Sequence, residues 1–143
     1  MKRKVIAITG IMLLLLMMMT ACSKSSFGLV VNDDNTISIT AENAEDGSAA
    51  SGVIEVGDNQ MLKGEPDLST DGTIRLDIYE GDIGLPMDPS EEDIAEKGTP
   101  LASIMLTGQD FGAVGLEPGT YTVVANVEGK VTGTATVKTV PKA

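Results

Sequence analysis

The chain has a single cysteine, Cys22, and its position allows chemistry that an ordinary buried cysteine does not have. An apolar run over residues 5–19 and the small residues Thr20 and Ala21 precede it, and a polar stretch over 23–26 follows. A basic start, an apolar middle of about 7–15 residues and small residues at the cut site are typical of a secretory leader. Cleavage before Cys22 would leave a thiol at the new N-terminus that can be acylated.

The residues around Cys22, MTAC over 19–22, resemble the lipobox of bacterial lipoproteins, although Met19 stands where that family usually has leucine. The chain is also similar to small Gram-positive lipoproteins in which a polar β-domain follows the lipobox directly. The resemblance implies a signal peptide over 1–21, acyl chains on Cys22 and a location on the extracytoplasmic face of the cell membrane. Two or three acyl chains make such an anchor stable.

Two alternatives are a retained membrane helix and an ordinary cleaved leader with an incidental cysteine. A spanning helix needs about 20 apolar residues, whereas 5–21 gives 17, interrupted by polar positions. We therefore expect a leader over 1–21, a lipidated cysteine and short tether over 22–28, and one domain over 29–143.

Carboxylates in two segments could bind a metal. DLSTDG over 67–72 copies the first half of a calcium loop, with Asp67 and Asp71 as oxygen ligands. A complete EF-hand loop needs an acidic residue at its twelfth position, and counting from Asp67 this position is Ile78. The match fails, and an Asp-Gly turn that begins a strand is favoured.

The second segment, DPSEEDIAE over 88–96, concentrates like charges, including Asp88, Glu91 and Glu92. Such clusters are usually solvated faces. We therefore expect no metal and no cofactor other than the covalent lipid, with calcium binding as a weaker alternative.

Composition excludes several function classes. The chain has no histidine and no tryptophan, two tyrosines, and a lone cysteine that acylation would consume. Histidine is the usual general base and a common zinc ligand, and flat sugar-binding platforms normally use Trp or Tyr faces. We expect a protein that is not an enzyme; an enzyme working with carboxylates alone is the weakest alternative.

The charge is strongly acidic, −11 for the whole chain. Removal of the leader takes away Lys2, Arg3 and Lys4 from the 10 basic residues, so 7 face 21 acidic ones and the net charge becomes −14. Such a surface repels nucleic acid and anionic lipid headgroups. We expect a monomer with no nucleic-acid partner, attached to the membrane through its lipid, with an unidentified protein partner.

Residues that alternate between apolar and polar predict strands over 36–41, 51–56, 73–80 and 102–108. The small polar residues 41–51 predict a loop, and 61–66 predicts a brief edge strand that Pro66 would blunt. The alternation stops over 81–100, where Ser90 or Asp88 can cap a short helical or loop insert near 88–98 that ends at Gly98.

The C-terminal third predicts a hairpin, with strands over 119–127 and 131–140. LEPGTYTV over 116–123 resembles the L-x-P-G-x-Y turn of Ig-like and prealbumin-like bacterial surface domains. Leu116, Pro118, Gly119 and Tyr121 match it. This resemblance implies a tyrosine corner, in which the hydroxyl bonds the backbone a few residues upstream.

Together these patterns predict an all-β protein, a single Ig-like β-sandwich of Greek-key type. The function we expect is a lipid-anchored extracytoplasmic binding or interaction module at the cell surface. The alternatives are a calcium- or solute-binding module that uses the acidic loops, and the carboxylate-based enzyme.

Overall fold

The computed structural model describes residues 25–69 and 71–142. The predicted leader and Cys22 therefore lie outside the described residues. The elements are β1 (Ser26–Val31), β2 (Ile37–Ala44), β3 (Ala49–Val56), β4 (Gln60–Leu68), β5 (Thr73–Glu80), α1 (Glu91–Ala95), β6 (Ala102–Thr107), β7 (Gly112–Gly115), β8 (Gly119–Glu128) and β9 (Val131–Pro141).

The strands form two antiparallel sheets that pack as a β-sandwich, as the alternation predicted. The first sheet has the order β1-β2-β9-β4-β7 and the second the order β3-β8-β5-β6. Only β1–β2 and β5–β6 are consecutive strands within one sheet, so every other connection along the chain crosses between sheets.

The core lies between the sheets and is built from the inward-facing residues of the alternating strands. In β5, Ile74, Leu76 and Ile78 are completely buried and face this core. The other fully buried large side chains are Ile37, Ile39, Ile54, Leu62, Leu106, Val123, Val124, Val127 and Val131. All of these except Val124 belong to the central cluster. Burial of a large aliphatic side chain contributes about 1.5–3 kcal/mol, so these strands hold the sandwich together.

The predicted C-terminal hairpin is wrong. Strand β8 pairs with β3 and β5 in one sheet, whereas β9 pairs with β2 and β4 in the other. The connection between them crosses the sandwich at Gly129, which has a φ of 82°. Two strands that face each other across a core show the same apolar alternation as two strands that pair in one sheet, and this explains the error.

The predicted loop over 41–51 is also shorter than expected, because β2 continues to Ala44 and β3 begins at Ala49. Part of the segment that was expected to be a loop is a β-bulge in β2. The pairing of β2 with β9 shifts register between Ala41 and Ala44, and Asn43 has a φ of 50°. Strand β1 begins at Ser26, so three residues expected in the tether belong to the sandwich.

Strand β4 is not the brief edge strand that was predicted, since it has nine residues and lies between β9 and β7. Pro66 is tolerated because its nitrogen points to the side of β4 that is away from β9. The backbone N–H of Leu68, two residues later, donates to Gly108 on the side away from β9. Pro66 faces that same side, where pairing with β7 has already ended at Gly64.

Helix α1 has five residues and lies within the predicted insert. The Ser90 hydroxyl accepts from the Asp93 N–H at 3.1 Å, and the Asp93 carboxylate accepts from the Ser90 N–H at 3.0 Å. This capping box lowers the pKa of Asp93 through hydrogen bonds from the Ser90 backbone and then from its side chain. Within the described ranges, no helix has the length and apolar character needed to cross a membrane.

Candidate functional site

The insert, residues 81–101, connects β5 to β6, and its first part, 81–87, lies against the outer face of the second sheet. It begins over β8, where the Thr122 hydroxyl donates to the Gly81 carbonyl at 2.7 Å and accepts from the Ile83 N–H at 3.2 Å. It then reaches β3, where the Ser51 N–H donates to the Met87 carbonyl at 3.1 Å. The Ser51 hydroxyl also donates to the Pro86 carbonyl at 2.7 Å.

This segment covers side chains that an exposed sheet face would leave in water. Tyr79 and Val124 point away from the central core and are nevertheless buried, as are Ser51 and Thr122 beside them. The outer face of the sheet thus carries a small second buried layer under the insert. Because Ser51 and Thr122 hold the backbone of the insert at two strands, its position on the sheet is fixed.

At Met87 the insert reaches the free edge of β3, and the backbone groups along that edge are bonded in an unusual way. The Val127 N–H of β8 donates to the Ser48 carbonyl. Because hydrogen bonds between two antiparallel strands recur at every second residue, the residues of β3 that bond β8 lie an even number of positions after Ser48. The N–H and C=O groups of Ser51, Val53 and Glu55 therefore point away from β8. The Met87 carbonyl accepts a hydrogen bond from the Ser51 N–H, as described above.

At the other end of this edge, Asn35 replaces a neighbouring strand. Its side-chain amide donates to the Glu55 carbonyl at 2.7 Å, and its carbonyl oxygen accepts from the Glu55 N–H at 3.0 Å. Asn35 lies in the β1–β2 turn with a φ of 64°, a conformation that asparagine tolerates well. Val53 lies between these two contacts. Among the described residues, no group outside the second sheet forms a hydrogen bond with its backbone N–H or C=O.

A cleft of about 430 Å³ opens at this edge. Strands β1 and β3 form two of its walls, and the insert forms the third. Its lining residues are Val30, Val31, Ser51, Gly52, Val53, Asp82, Leu85, Met87 and Thr122. Val30 is 56% exposed and Met87 is 66% exposed, so apolar surface is open to solvent here. The volume and the apolar lining with a few polar groups are typical of ligand sites.

A second cleft of about 480 Å³ continues along the same edge and shares Val31 and Val53 with the first. Its other lining residues are Asn32, Asp33, Asn35 and Glu55. Asp33, Glu55 and, in the first cleft, Asp82 give this edge three carboxylates. In the part of the chain that the structure describes, no lysine or arginine lines either cleft.

A polar network joins β5, β6 and β8 of the second sheet, and it was not predicted from the sequence. Asp77 is 5% exposed, and its carboxylate accepts from the Ser103 hydroxyl at 2.7 Å and from the Asn126 amide at 3.2 Å. Arg75 donates to both Asp77 oxygens, at 3.1 and 3.2 Å, and also contacts Glu128. Every oxygen of the buried carboxylate has a partner, so this network stabilises the sheet and offers no open position.

The turn before β8 places Tyr121 over the backbone of the preceding residues. Its hydroxyl donates to the Glu117 carbonyl at 2.5 Å, and Leu116 is buried next to it. Pro118 and Gly119 form the sharp entry, with Gly119 at a φ of 156°. Burial raises the pKa of Tyr121, with smaller contributions from Glu80 and Glu117. A neutral, hydrogen-bonded tyrosine of this kind holds the turn in place.

The weak metal candidates lie in different places. Asp67 is in β4 and accepts from the Gln109 amide at 3.2 Å, Asp71 lies in the turn before β5, and Asp88 lies in the insert. Glu91 and Glu92 begin α1, where negative charge is favourable at the N-terminal end of a helix. Throughout 25–69 and 71–142, no three acidic, histidine or cysteine side chains are grouped so that they could hold a metal ion.

The lining residues of the cleft at β3 were not predicted as a site. One signal was available, because GDIGLPM over 81–87 has apolar residues at alternate positions within a segment rich in turn residues. That pattern indicates one apolar side, but it does not say which strand that side contacts.

Neither a protein-family model nor a curated protein matches the chain. Among solved structures, it is similar to a family two carbohydrate esterase from Cellvibrio japonicus, with 17% identity and a TM-score of 0.42 over 84% of this chain. The chain spans only 32% of that esterase.

Two other solved structures are similar over most of their own length. One is a CBM4 structure, at 13% identity and a TM-score of 0.40, over 82% of this chain and 78% of that one. The other is TmCBM61 in complex with β-1,4-galactotriose, at 12% identity and a TM-score of 0.35, over 83% and 88%. With every TM-score below 0.5, no ligand and no activity is transferred from these proteins to this chain.

Proposed function

We propose that this protein is a non-catalytic binding module, anchored by lipid on the outer face of the cytoplasmic membrane, that holds its ligand in the cleft at the β3 edge. The observation that carries the proposal is the open apolar surface of Val30, Val31 and Met87 beside polar groups fixed by the insert. Apolar side chains left in water at a concave site are stabilised when a ligand covers them.

The chemistry of the lining supports binding over catalysis. Of the nine described residues that line the cleft, only Asp82 is ionisable. General acid–base catalysis needs a group with a suitable pKa, and usually a second group to work with it. The Ser51 and Thr122 hydroxyls donate to the backbone carbonyls of Pro86 and Gly81. One exposed carboxylate beside them supplies no acid–base pair.

The position of the cleft in the chain supports a ligand close to the membrane. Val30 is eight residues after Cys22, and a fully extended chain covers at most about 3.6 Å per residue. If Cys22 carries the acyl chains, the first wall of the cleft is at most about 29 Å from the anchored residue. The ligand expected from this geometry is one that is available at the membrane surface.

Site-specific photo-crosslinking in cells that produce the protein tests the proposal. A photoreactive amino acid is placed at Met87 in one variant and at Val30 in another. The control position is Met105, which is 50% exposed on β6 but does not line the cleft. The expected result is the same discrete crosslinked product from Met87 and Val30 and none from Met105.

Equal products from all three positions, or no product from the two cleft positions, would overturn the proposal. Mass spectrometry of the product identifies the ligand class, whether protein, glycan or a second copy of the chain. Thermal unfolding of each variant shows that the fold is kept, which is expected because the three side chains are largely exposed.

A further inference from the structure

We propose that the ligand of the cleft is a short extended segment of a protein that carries basic residues, and that it pairs with the backbone of Val53. This inference rests on the proposed function and specifies its ligand. Three observations carry it: an open backbone position, a hydrogen-bonding pattern that already accepts amides, and the charge of the surrounding side chains.

The open position follows from the register of β3. Ser51 and Glu55 point their backbone groups toward the free edge and are bonded there by Met87 and Asn35 respectively. Val53 lies midway between them with the same orientation, and no described residue meets its N–H or C=O. A free edge position of this kind is where an added strand forms hydrogen bonds.

The Asn35 side chain shows that this edge accepts an amide in the geometry of a strand. Its NH₂ and C=O bond the C=O and N–H of one residue, Glu55, as a residue of a neighbouring strand would. An incoming peptide residue would make the same pair of bonds with Val53.

The length of the opening limits the ligand. From Ser51 to Glu55 is four residues of strand, which is about 13 Å at 3.3 Å per residue. About three residues of extended peptide fit between Met87 and Asn35. A central apolar side chain of such a tripeptide has Val30 and Met87 to contact in the cleft.

Charge selects the flanking residues. Asp82 lines the first cleft, and Asp33 and Glu55 line the second, with no lysine or arginine among the described residues that line either cleft. These carboxylates favour lysine or arginine next to the apolar residue and repel acidic segments. A neutral glycan could donate hydroxyl hydrogen bonds to these carboxylates but would gain no ionic attraction from them.

The test is a titration of the ¹⁵N-labelled full chain in detergent micelles, followed by NMR. The probe is acetyl-Lys-Val-Lys-amide. Two matched probes are acetyl-Glu-Val-Glu-amide and the Lys-Val-Lys peptide methylated on the valine nitrogen. The expected result is saturable binding of the first peptide, with a downfield shift and slower solvent exchange of the Val53 amide. Binding of the acidic peptide should be at least about fivefold weaker, because two exposed ion pairs are lost and like charges are brought together in their place.

A variant of the protein isolates the backbone contact. Val53→Pro removes the outward N–H while leaving the bonds to β8, and Pro66 shows that this sandwich already tolerates proline where the N–H faces an open side. We expect the variant to fold and to lose binding of the basic peptide. Since a folding failure would also abolish binding, the methylated peptide tests the same contact on the unchanged protein.

Two outcomes would overturn the inference. One is that the methylated and unmethylated peptides bind equally with no change at the Val53 amide. The other is that the basic peptide shifts no residue of either cleft, or binds no better than the acidic peptide. The crosslinking from Met87 and Val30 is independent of the peptide probes, so a specific glycan or lipid product there would leave the binding function standing while this inference fails.

Discussion

Replacement of Tyr121 by phenylalanine tests whether the tyrosine hydroxyl stabilises the L-x-P-G-x-Y turn before β8. The substitution keeps the buried ring and removes the hydroxyl that donates to the Glu117 carbonyl at 2.5 Å. Tyr79 provides a matched control. Its ring is also buried, but its hydroxyl reaches solvent and has no hydrogen-bond partner among the described residues.

At neutral pH the two variants should differ in stability. Loss of a buried hydrogen bond that leaves its acceptor unpaired costs about 1–2 kcal/mol, a substantial part of a stability of about 5–15 kcal/mol. For a domain of this size, 1 kcal/mol lowers the midpoint of thermal unfolding by about 4 °C. We therefore expect Tyr121→Phe to melt about 4–8 °C below the unchanged protein, and Tyr79→Phe to melt close to it.

At alkaline pH the two variants should behave alike. Burial raises the pKa of both tyrosines above the ordinary value of 10.0, with Asp77 adding to the effect at Tyr79. Above pH 10 the unfolded chain loses these protons first, so the folded state holds more protons and stability falls as pH rises. Each tyrosine contributes a slope of about −1.4 kcal/mol per pH unit between its unfolded and folded pKa values.

The assays are thermal unfolding at pH 7, and urea unfolding at pH 7 and at steps from pH 9.5 to 11.5, all followed by circular dichroism. Each single variant should remove one tyrosine from the alkaline slope, and the double variant should remove both. The reasoning would be refuted if Tyr121→Phe were as stable as Tyr79→Phe at pH 7, or if neither variant changed the slope above pH 10.

Three other predictions concern packing, metal binding and the anchor. Gly64→Ala should destabilise the domain by about 1–3 kcal/mol, because the added carbon would lie 2.9 Å from the Leu106 side chain. Gly28→Ala on β1 is the control and should be neutral, because a carbon added there meets nothing within 4 Å. Equal urea midpoints for the two variants would contradict this prediction. Millimolar calcium should leave the melting temperature unchanged, since the described acidic groups form no cluster that could hold a metal, and a rise would indicate a site. Mass spectrometry of protein extracted from membranes should find Cys22 as the first residue and acylated, while a free thiol on released protein would count against the anchor.

Local patterns were sufficient for the faces of most strands. The alternation in 73–80 correctly separated Ile74, Leu76 and Ile78 from the outward residues, because side chains of a strand point to opposite faces in turn. For residues 88–98 the sequence left two caps open, Ser90 and Asp88, and left helix or loop open; the structure has a short helix capped by Ser90, and the cap could be among the candidates because it depends on residues only three positions apart.

Pairing could not be predicted in the same way. The expected hairpin of β8 with β9 is wrong, and β4 lies inside a sheet instead of at its edge. Backbone hydrogen bonds are the same for every residue except proline, so the sequence of a strand says which face is apolar but little about which strand lies beside it.

The sequence by itself determined the leader-like N-terminus around Cys22, the acidic character and the inner faces of the strands, because each depends on residue types at short spacing. Only the tertiary structure decided that the insert begins on the outer face of a sheet and that no described residue pairs with the β3 edge at Val53. These features depend on backbone groups and on residues from β1, β3 and the insert, which are far apart in the chain and meet only when the two sheets pack.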